Sequence, residues 1–245
     1  MEAMIFAAGL GTRLRPLTDD KPKALVEIDQ TTLLDINIRK LIAAGCSRIV
    51  INVHHFAQKV IQYIETKDYA ADIRISDESS LLLDTGGGLL NARNLFSSNQ
   101  NIILHNVDII SDVDLGLLER THLGFGNAIA TLAVSKRHSS RQILFNGDMQ
   151  LSGWQNDATH ERIITRDEAD LTAFGFSGIA VVSPSIFDLL HKKGAFPIMN
   201  RYLDISREHC VKGFVHSAER WLDVGKISSL PAAEKLAKQL NITSH

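Results

Sequence analysis

Four charged residues stand out by their settings: Arg13, Lys23, Asp108 and Asp223. The first two lie in AAGLGTRLRPLTDDKPKAL, residues 7–25, where an apolar run breaks into Gly9 and Gly11. Arg13 and Arg15 follow, and Lys23 is held between Pro22 and Ala24. Glycines at such a break let the backbone turn tightly and bring its N–H groups against a phosphate. Arginine grips phosphate through paired hydrogen bonds, and lysine supplies a compact charge. Several cations beside a glycine-rich loop suit a triphosphate; the plainer account is a solvated loop balanced by Asp19 and Asp20. Asp108 ends NIILHNVD and Asp223 sits in RWLDVG, each an acidic residue after an apolar run. Singly, each reads as a turn or cap residue. Together they could share a magnesium ion, which favours oxygen ligands and keeps waters and substrate phosphates around it.

A second glycine-rich junction, LDTGGGLLNA, spans residues 83–92. Three glycines before a helix would place its unpaired N–H groups and positive dipole end at an anion. Neither common nucleotide motif is met: Leu14 occupies the third glycine position of GxGxxG, and no GK[ST] follows at P-loop spacing. His54 and His55, just past a strand, could line a base or sugar pocket. Ser177 lies between Gly175 and Gly178 in FGFSGIAVV, where strand glycines mark either a close ligand or a bulge.

These residues need a scaffold, and the apolar periodicity supplies one. Strands are expected over Glu2–Ala8, Arg48–Val53, Asp72–Ser76 and Asn101–His105, with helices over Thr31–Ala44, Ala57–Thr66 and Gly87–Phe96. Alternation of this kind predicts βαβ units and a mostly parallel sheet. The later half adds strands over Ala128–Ser135 and Ala173–Val182, a hairpin over Arg141–Gly153 around Asn146-Gly147-Asp148, and a short strand near Phe214–His216. Helices are expected over Pro184–His191 and from Ile227 to Leu240. The fold class is α/β, read as one domain over 1–245, and ligands in such sheets bind beyond the carboxyl ends of the strands.

Composition narrows the function. With 26 Lys and Arg against 28 Asp and Glu there is no basic excess, which argues against a nucleic-acid partner. The only cysteines are Cys46 and Cys210, so no disulfide framework or CxxC metal site is expected and a reducing compartment suits the chain. No apolar run reaches membrane-span length, and the opening MEAMIFAAGL carries Glu2 without a basic leader region. A cytoplasmic protein with no membrane partner is expected.

Assembled, these segments resemble the sugar-1-phosphate nucleotidyltransferases. MIFAAGLGTRLRPLTDDKPKALVEI is similar to their signature, and INVHH, DTGGG, HNVD, FSGIAV and WLDVG follow in the family order across nearly the whole chain. The resemblance implies a Rossmann-like α/β/α sandwich with a mixed, mostly parallel sheet, a nucleotide half over about 1–110 and a sugar half over about 111–245. It implies the reaction NTP + sugar 1-phosphate ⇌ NDP-sugar + pyrophosphate. By position, Ala8, Gly9, Gly11 and Thr12 would contact the nucleotide, Arg13 its β and γ phosphates, and Lys23 its α-phosphate. Thr85, Gly86 and Gly87 would edge the base and ribose, Asn106, Ser177 and Gly178 would face the sugar, and Asp108 and Asp223 would hold Mg²⁺.

Within the family, DTGGGLL is similar to the ETGGG of N-acetylmuramate-1-phosphate uridylyltransferases, which also lack an appended β-helix domain. INVHH resembles mannose- or heptose-1-phosphate guanylyltransferases. Without a β-helix the oligomer is read as monomer or homodimer. The sequence departs from the family at Lys226, where threonine usually follows DVG, and at Val107, where glycine usually precedes the aspartate. The Glu-Lys-Pro segment of larger members is also missing, which leaves Arg166 as the expected substitute for its lysine. Two further readings are a cytidylyltransferase acting on a phosphocholine-like alcohol and a non-catalytic, nucleotide-sugar-binding regulatory subunit. The four intact charged residues speak for an enzyme.

Overall fold

The computed structural model describes residues 1–242. In chain order its elements are β1 (Glu2–Phe6), β2 (Glu27–Ile28), β3 (Thr31–Thr32), α1 (Leu33–Ala43), β4 (Arg48–Val53), α2 (Ala57–Glu65), β5 (Asp72–Asp77) and α3 (Asp84–Asn91). Next come β6 (Ile102–Asn106), β7 (Ile109–Ser111), α4 (Leu115–Gly124), β8 (Ala128–Ser135), β9 (Arg141–Phe145), β10 (Leu151–Asn156), β11 (Glu161–Ile164) and β12 (Thr172–Val182). The last are α5 (Ile186–Leu189), α6 (Ile198–Ser206), β13 (Cys210–Val215), β14 (Trp221–Asp223) and α7 (Leu230–Gln239).

The main sheet runs β11-β10-β9-β12-β6-β1-β4-β5, with β8 and then β13 branching from β12. From β6 to β5 it is parallel, and β8 and β13 form a second parallel pair. β12 introduces the antiparallel pairings, to β6, β8 and β9, so the sheet is mixed. Strand β1 shows why the sheet is central. Ala3 and Ile5 enter one apolar cluster, Met4 enters the other, and all three are fully buried. A strand buried on both faces needs apolar residues throughout, and helices must cover both faces. α1, α2, α4 and α7 supply residues to the first cluster; α3, α5 and α6 supply the second.

Register sets the working edge. Phe6 pairs with Asn52 of β4 and with Asn106 of β6, so the chain leaves all three strands at one carboxyl edge. Ala7 to Gly9, His54, and Val107-Asp108 therefore emerge side by side.

Several boundaries differ from those read in the sequence. Thr31-Thr32 forms a two-residue strand against Glu27-Ile28, and Thr32 then caps α1 by accepting the Asp35 N–H at 3.1 Å. The glycines of DTGGG lie inside α3, not before it. β14 pairs antiparallel with β7, two three-residue strands too short to show any periodicity. α4 and α6 were not expected: Gly116 interrupts the first, and the second follows Gly194 and Pro197, all local signals for turns.

Helix α4 docks on β8 through a buried histidine. Ser183 Oγ donates to the Ala128 carbonyl at 2.7 Å, so His122 Nε2 donates to Ser183 Oγ at 2.9 Å. Nδ1 then accepts from Thr131 Oγ1 at 2.8 Å, the neutral tautomer assigned from this network. Burial lowers the His122 pKa to about 4. Because the folded value lies below the ordinary 6.5, the unfolded chain takes up the proton first as pH falls. The stability from this site is therefore complete above pH 6.5 and lost as pH drops towards 4. We expect His122→Gln to flatten the fall in urea-unfolding free energy between those pH values. Identical slopes for variant and wild type would refute the assignment.

Candidate active site

The loop after β1 is secured before it reaches any ligand. Ala7 N–H donates to Asn52 Oδ1 at 2.8 Å, and Asn52 Nδ2 donates to Glu78 Oε1 at the same distance. Asn52 is buried at the end of β4, so the first and second strand ends are tied by a hydrogen bond sheltered from water. Farther along, Leu14 is fully buried and anchors a short 3₁₀ turn, Thr12–Leu14. Gly11 precedes it at φ +65, and its carbonyl accepts from Thr18 Oγ1 at 2.9 Å. A Cβ at Gly11 would stand 3.1 Å from the Lys23 Cβ, so the glycine lets the loop close on the lysine.

Lys23 is buried, and its ammonium donates to Asp108 Oδ2 in an ion pair. Asn37 Nδ2 holds the Val107 carbonyl at 2.8 Å, just before Asp108. The pairing of β14 with β7 puts Asp223 opposite Ile109, and Val224 N–H donates to the Asp108 carbonyl at 2.8 Å. Two residues more than a hundred positions apart in the chain are thus brought together by three backbone rungs. Asp223 opens onto the cleft, yet the walls around it withhold much of the bulk solvent. That desolvation, reinforced by the Asp108 charge, raises its carboxyl above the ordinary value, against the pull of Lys23 and Arg13. Gly225 makes room for the arrangement: a Cβ there would lie 2.6 Å from Asp223 Oδ1 and 2.7 Å from Arg13 Nη2.

Two lobes border the carboxylates, one through Asp108 and one through Asp223. One, of about 410 Å³, is lined by Ala8, Gly9, Lys23, Thr85, Asn106 and Asp108. A smaller recess of about 100 Å³ shares Thr85 and Asn106 with it and adds Phe176, Gly178 and Tyr202. The other lobe, about 670 Å³, lies beyond Asp223 and is bordered by Arg13, Arg137, His138, Arg141 and Lys226. It carries far more positive than negative charge.

Most of the residues singled out in the sequence reach this cleft, but not all. Thr12 is exposed on the loop, and Arg15 turns away to pair with Asp19 at 3.4 Å. Gly86 and Gly87 are packing glycines. Their N–H groups are taken by the Phe196 carbonyl at 2.9 and 3.3 Å, and Cβ atoms would strike the Phe196 ring at 2.3 Å and the Gly194 carbonyl at 2.4 Å. The start of α3 therefore has no free donors there for a phosphate, contrary to the sequence reading. Thr85 does line the cleft, with its hydroxyl accepting from Ile198 N–H at 2.9 Å. Ser177 is fully buried, its Oγ joined to His216 Nε2 at 2.7 Å, so its side chain does not face a sugar. Neighbouring Gly178 does line the recess, at φ +73 within a register shift of β12. His54 is occupied by the Glu78 carbonyl at 2.7 Å, and the His55 ring lies tilted against Phe56. Arg166 is turned to the end of α6, donating to the Ser206 carbonyl at 2.5 Å. The cations missed in the sequence are Arg137 and Arg141. Their segment, KRHSSR, shows no spacing that separates it from a solvated turn.

Residues 2–239 match the family described as nucleotidyl transferase. The chain belongs to that family. It is 28% identical over 244 residues to the N-acetylmuramate alpha-1-phosphate uridylyltransferase of Neisseria meningitidis, covering 97% of this chain and 98% of that protein. The Caulobacter vibrioides protein of the same name is 45% identical over 111 residues, a match spanning 44% of this chain and about half of that relative, 46%. A Dictyostelium discoideum mannose-1-phosphate guanylyltransferase catalytic subunit beta is 35% identical over 135 residues, 54% of this chain and 38% of that one. The fold is shared with HddC from Yersinia pseudotuberculosis solved with GMP-PN, at TM-score 0.74 and 20% identity over 96% of this chain and 98% of that one. It is shared too with the inositol-1-phosphate CTP transferase from T. maritima, at TM-score 0.75 and 16% identity over 97% and 96%. The resemblance to sugar-1-phosphate nucleotidyltransferases read from the sequence is borne out, and the chain is an enzyme of this family. Among the described residues no helix is long and apolar enough to cross a membrane.

Gly225 supplies a test of this candidate site. Its neighbours are the ends of two flexible side chains, so Gly225→Ala can be absorbed by moving Arg13 and Asp223. We expect unfolding stability within about 0.5 kcal/mol of wild type but turnover reduced by roughly ten-fold or more, since small displacements of positioning groups are costly. Unchanged turnover would separate Gly225 from the site.

Proposed function

We propose that the protein transfers a nucleotidyl group from a nucleoside triphosphate to a sugar 1-phosphate, releasing pyrophosphate. The observation that supports it most is the convergence of Lys23, Asp108, Asp223 and Arg13 between two lobes of one cleft. The lobe bearing Ala8, Gly9 and Thr85 suits the base and ribose, and Arg13, bordering the basic lobe, is assigned to the β and γ phosphates. Asn106 and Gly178, at the recess, are assigned to the sugar.

The chemistry asks for little covalent help. A phosphate oxygen of the sugar phosphate attacks the α-phosphorus in line, and pyrophosphate departs as the α–β bond breaks. A phosphate monoester is already a competent nucleophile, so no general base is required. Two anions must instead be held together, which fixed cations and positioning accomplish. Lys23 would exchange part of its bond with Asp108 for the α-phosphate oxygens. Buried among β1, its loop and β6, it can neutralise charge there with little reorganisation.

The donor set also fits a divalent metal. Asp108 and Asp223 supply only carboxylate oxygens; desolvation, and after it the Asp108 charge, raises the Asp223 carboxyl, and both are penalties a cation would relieve. We assign these two residues to Mg²⁺, which when bound supplies charge neutralisation at phosphate oxygens.

For the substrate pair we propose UTP with an amino-sugar 1-phosphate such as N-acetylmuramate 1-phosphate. The full-length likeness to the Neisseria uridylyltransferase supports it. GTP with mannose 1-phosphate is the second reading, supported by the 35% identity to the Dictyostelium guanylyltransferase subunit.

A coupled pyrophosphate-release assay over a panel of triphosphates and sugar 1-phosphates, with and without Mg²⁺, tests the assignment. Lys23→Ala and Asp108→Ala should each lower the rate by about 10²-fold or more, in line with losing a fixed charge at developing phosphate charge. Wild-type inactivity with every pair would favour a non-catalytic binding subunit. Near-full activity in either variant would remove that residue from the mechanism.

A further inference from the structure

The basic lobe holds more cation than a triphosphate loop needs. Arg13 comes from that loop, but Arg137 enters from the end of β8, on the side of the sheet formed by β12. Its guanidinium lies over the Trp221 ring, with Cζ 4.1 Å from the centroid, two residues before Asp223. Nη2 donates to the Phe176 carbonyl at 2.6 Å. A Cβ at Gly175 would stand 2.9 Å from Arg137 Cζ and Nε, so a glycine is what allows the guanidinium to lie flat on the strand. Nε is buried and has no hydrogen-bond partner. Burial opposes the charge, and only Asp223 favours it electrostatically. A half-buried arginine held by a ring, a carbonyl and a glycine, without an ion-pair partner among the described residues, is a cation kept ready for an anion.

Position says which anion. Phe176, which accepts from Arg137, and Gly178 two residues on both line the recess assigned to the sugar. In an in-line displacement the entering and leaving oxygens lie on opposite sides of the α-phosphorus. Arg13 and Arg137 both border the basic lobe, but Arg137 is the one hydrogen-bonded to a residue that lines the recess, and that contact points it to the entering side.

We propose that Arg137 binds the phosphate of the sugar 1-phosphate, the task for which Arg166 was the sequence candidate. Lys226, which borders the same lobe, adds positive charge there. The assignment rests on the proposed reaction, with the phosphate group as the recognised chemistry. No bond is made or broken at Arg137; it orients the attacking oxygen and offsets the repulsion between two anions.

Arg137→Met and Arg137→Lys in the full-length protein test this, with Arg166→Gln as control. We expect Arg137→Met to raise KM for the sugar 1-phosphate by about ten- to hundred-fold, as for loss of a charge-assisted hydrogen-bond pair. KM for the triphosphate, and KM for pyrophosphate in the reverse reaction, should stay within about two-fold, the scatter allowed for a residue that touches neither. Arg137→Lys should recover part of the loss, and Arg166→Gln should leave all three values near wild type. A rise confined to pyrophosphate or triphosphate would place Arg137 on the leaving side and overturn the proposal, as would no change at all. Titration with methyl phosphate, followed by calorimetry, separates this idea from the reaction itself. Weaker binding to Arg137→Met should persist even if no substrate pair turns over, and equal binding would sink the proposal. Circular dichroism and thermal unfolding confirm that the variants compared are folded.

Discussion

Two carboxylates that would repel one another are held at one spot, and much of the structure exists to make that tolerable. Asp108 ends the β6 segment and Asp223 ends β14; the β7–β14 pairing and the Val224 to Asp108 hydrogen bond bring them together. Desolvation first, and the Asp108 charge second, raise the Asp223 carboxyl above its ordinary value. Lys23 on one side and Arg13 on the other offset it, and both belong to a loop that returns to the sheet because Leu14 is buried and Gly11 has no side chain. Fixed opposite charges in a partly desolvated cleft are what a reaction between two anions requires.

The sheet contributes direction more than contacts. β1, β4 and β6 end in register, so three chain segments leave one edge together. Antiparallel β12 then closes against β6 and carries the Gly175–Gly178 stretch to the opposite wall. Asn52 couples these parts by joining Ala7 N–H to Glu78, itself buried under the start of α3. Glycines serve the same end by absence: Gly86 and Gly87 admit Phe196 and Gly194, Gly175 admits Arg137, and Gly225 admits two charged side chains. Each is a place where packing density, not backbone freedom, selects the residue.

Much of this was legible in the sequence. The parallel half of the sheet followed from apolar runs alternating with helical patterns, because strands buried on both faces and amphipathic helices leave different periods. Arg13, Lys23, Asp108 and Asp223 were legible because each breaks an apolar run with a charge. The glycines of α3 misled: three in a row look like a phosphate loop, and only the presence of Phe196 shows them to be a packing surface. Ser177 misled in the same way, since nothing nearby in sequence announces His216 as its partner.

By itself the sequence determined the family, the α/β class and the residue types that would meet a phosphate, since these depend on local pattern and on chemistry that side chains carry anywhere. Which of those residues share a cleft was decided by tertiary structure, because contacts such as Asp223 with Asp108 span more than a hundred residues and rest on three backbone rungs. Arg137 is the sharpest case. In sequence it is one cation in a polar turn; in the fold, Trp221, Gly175 and Phe176 converge on it from two distant segments and turn it towards the cleft.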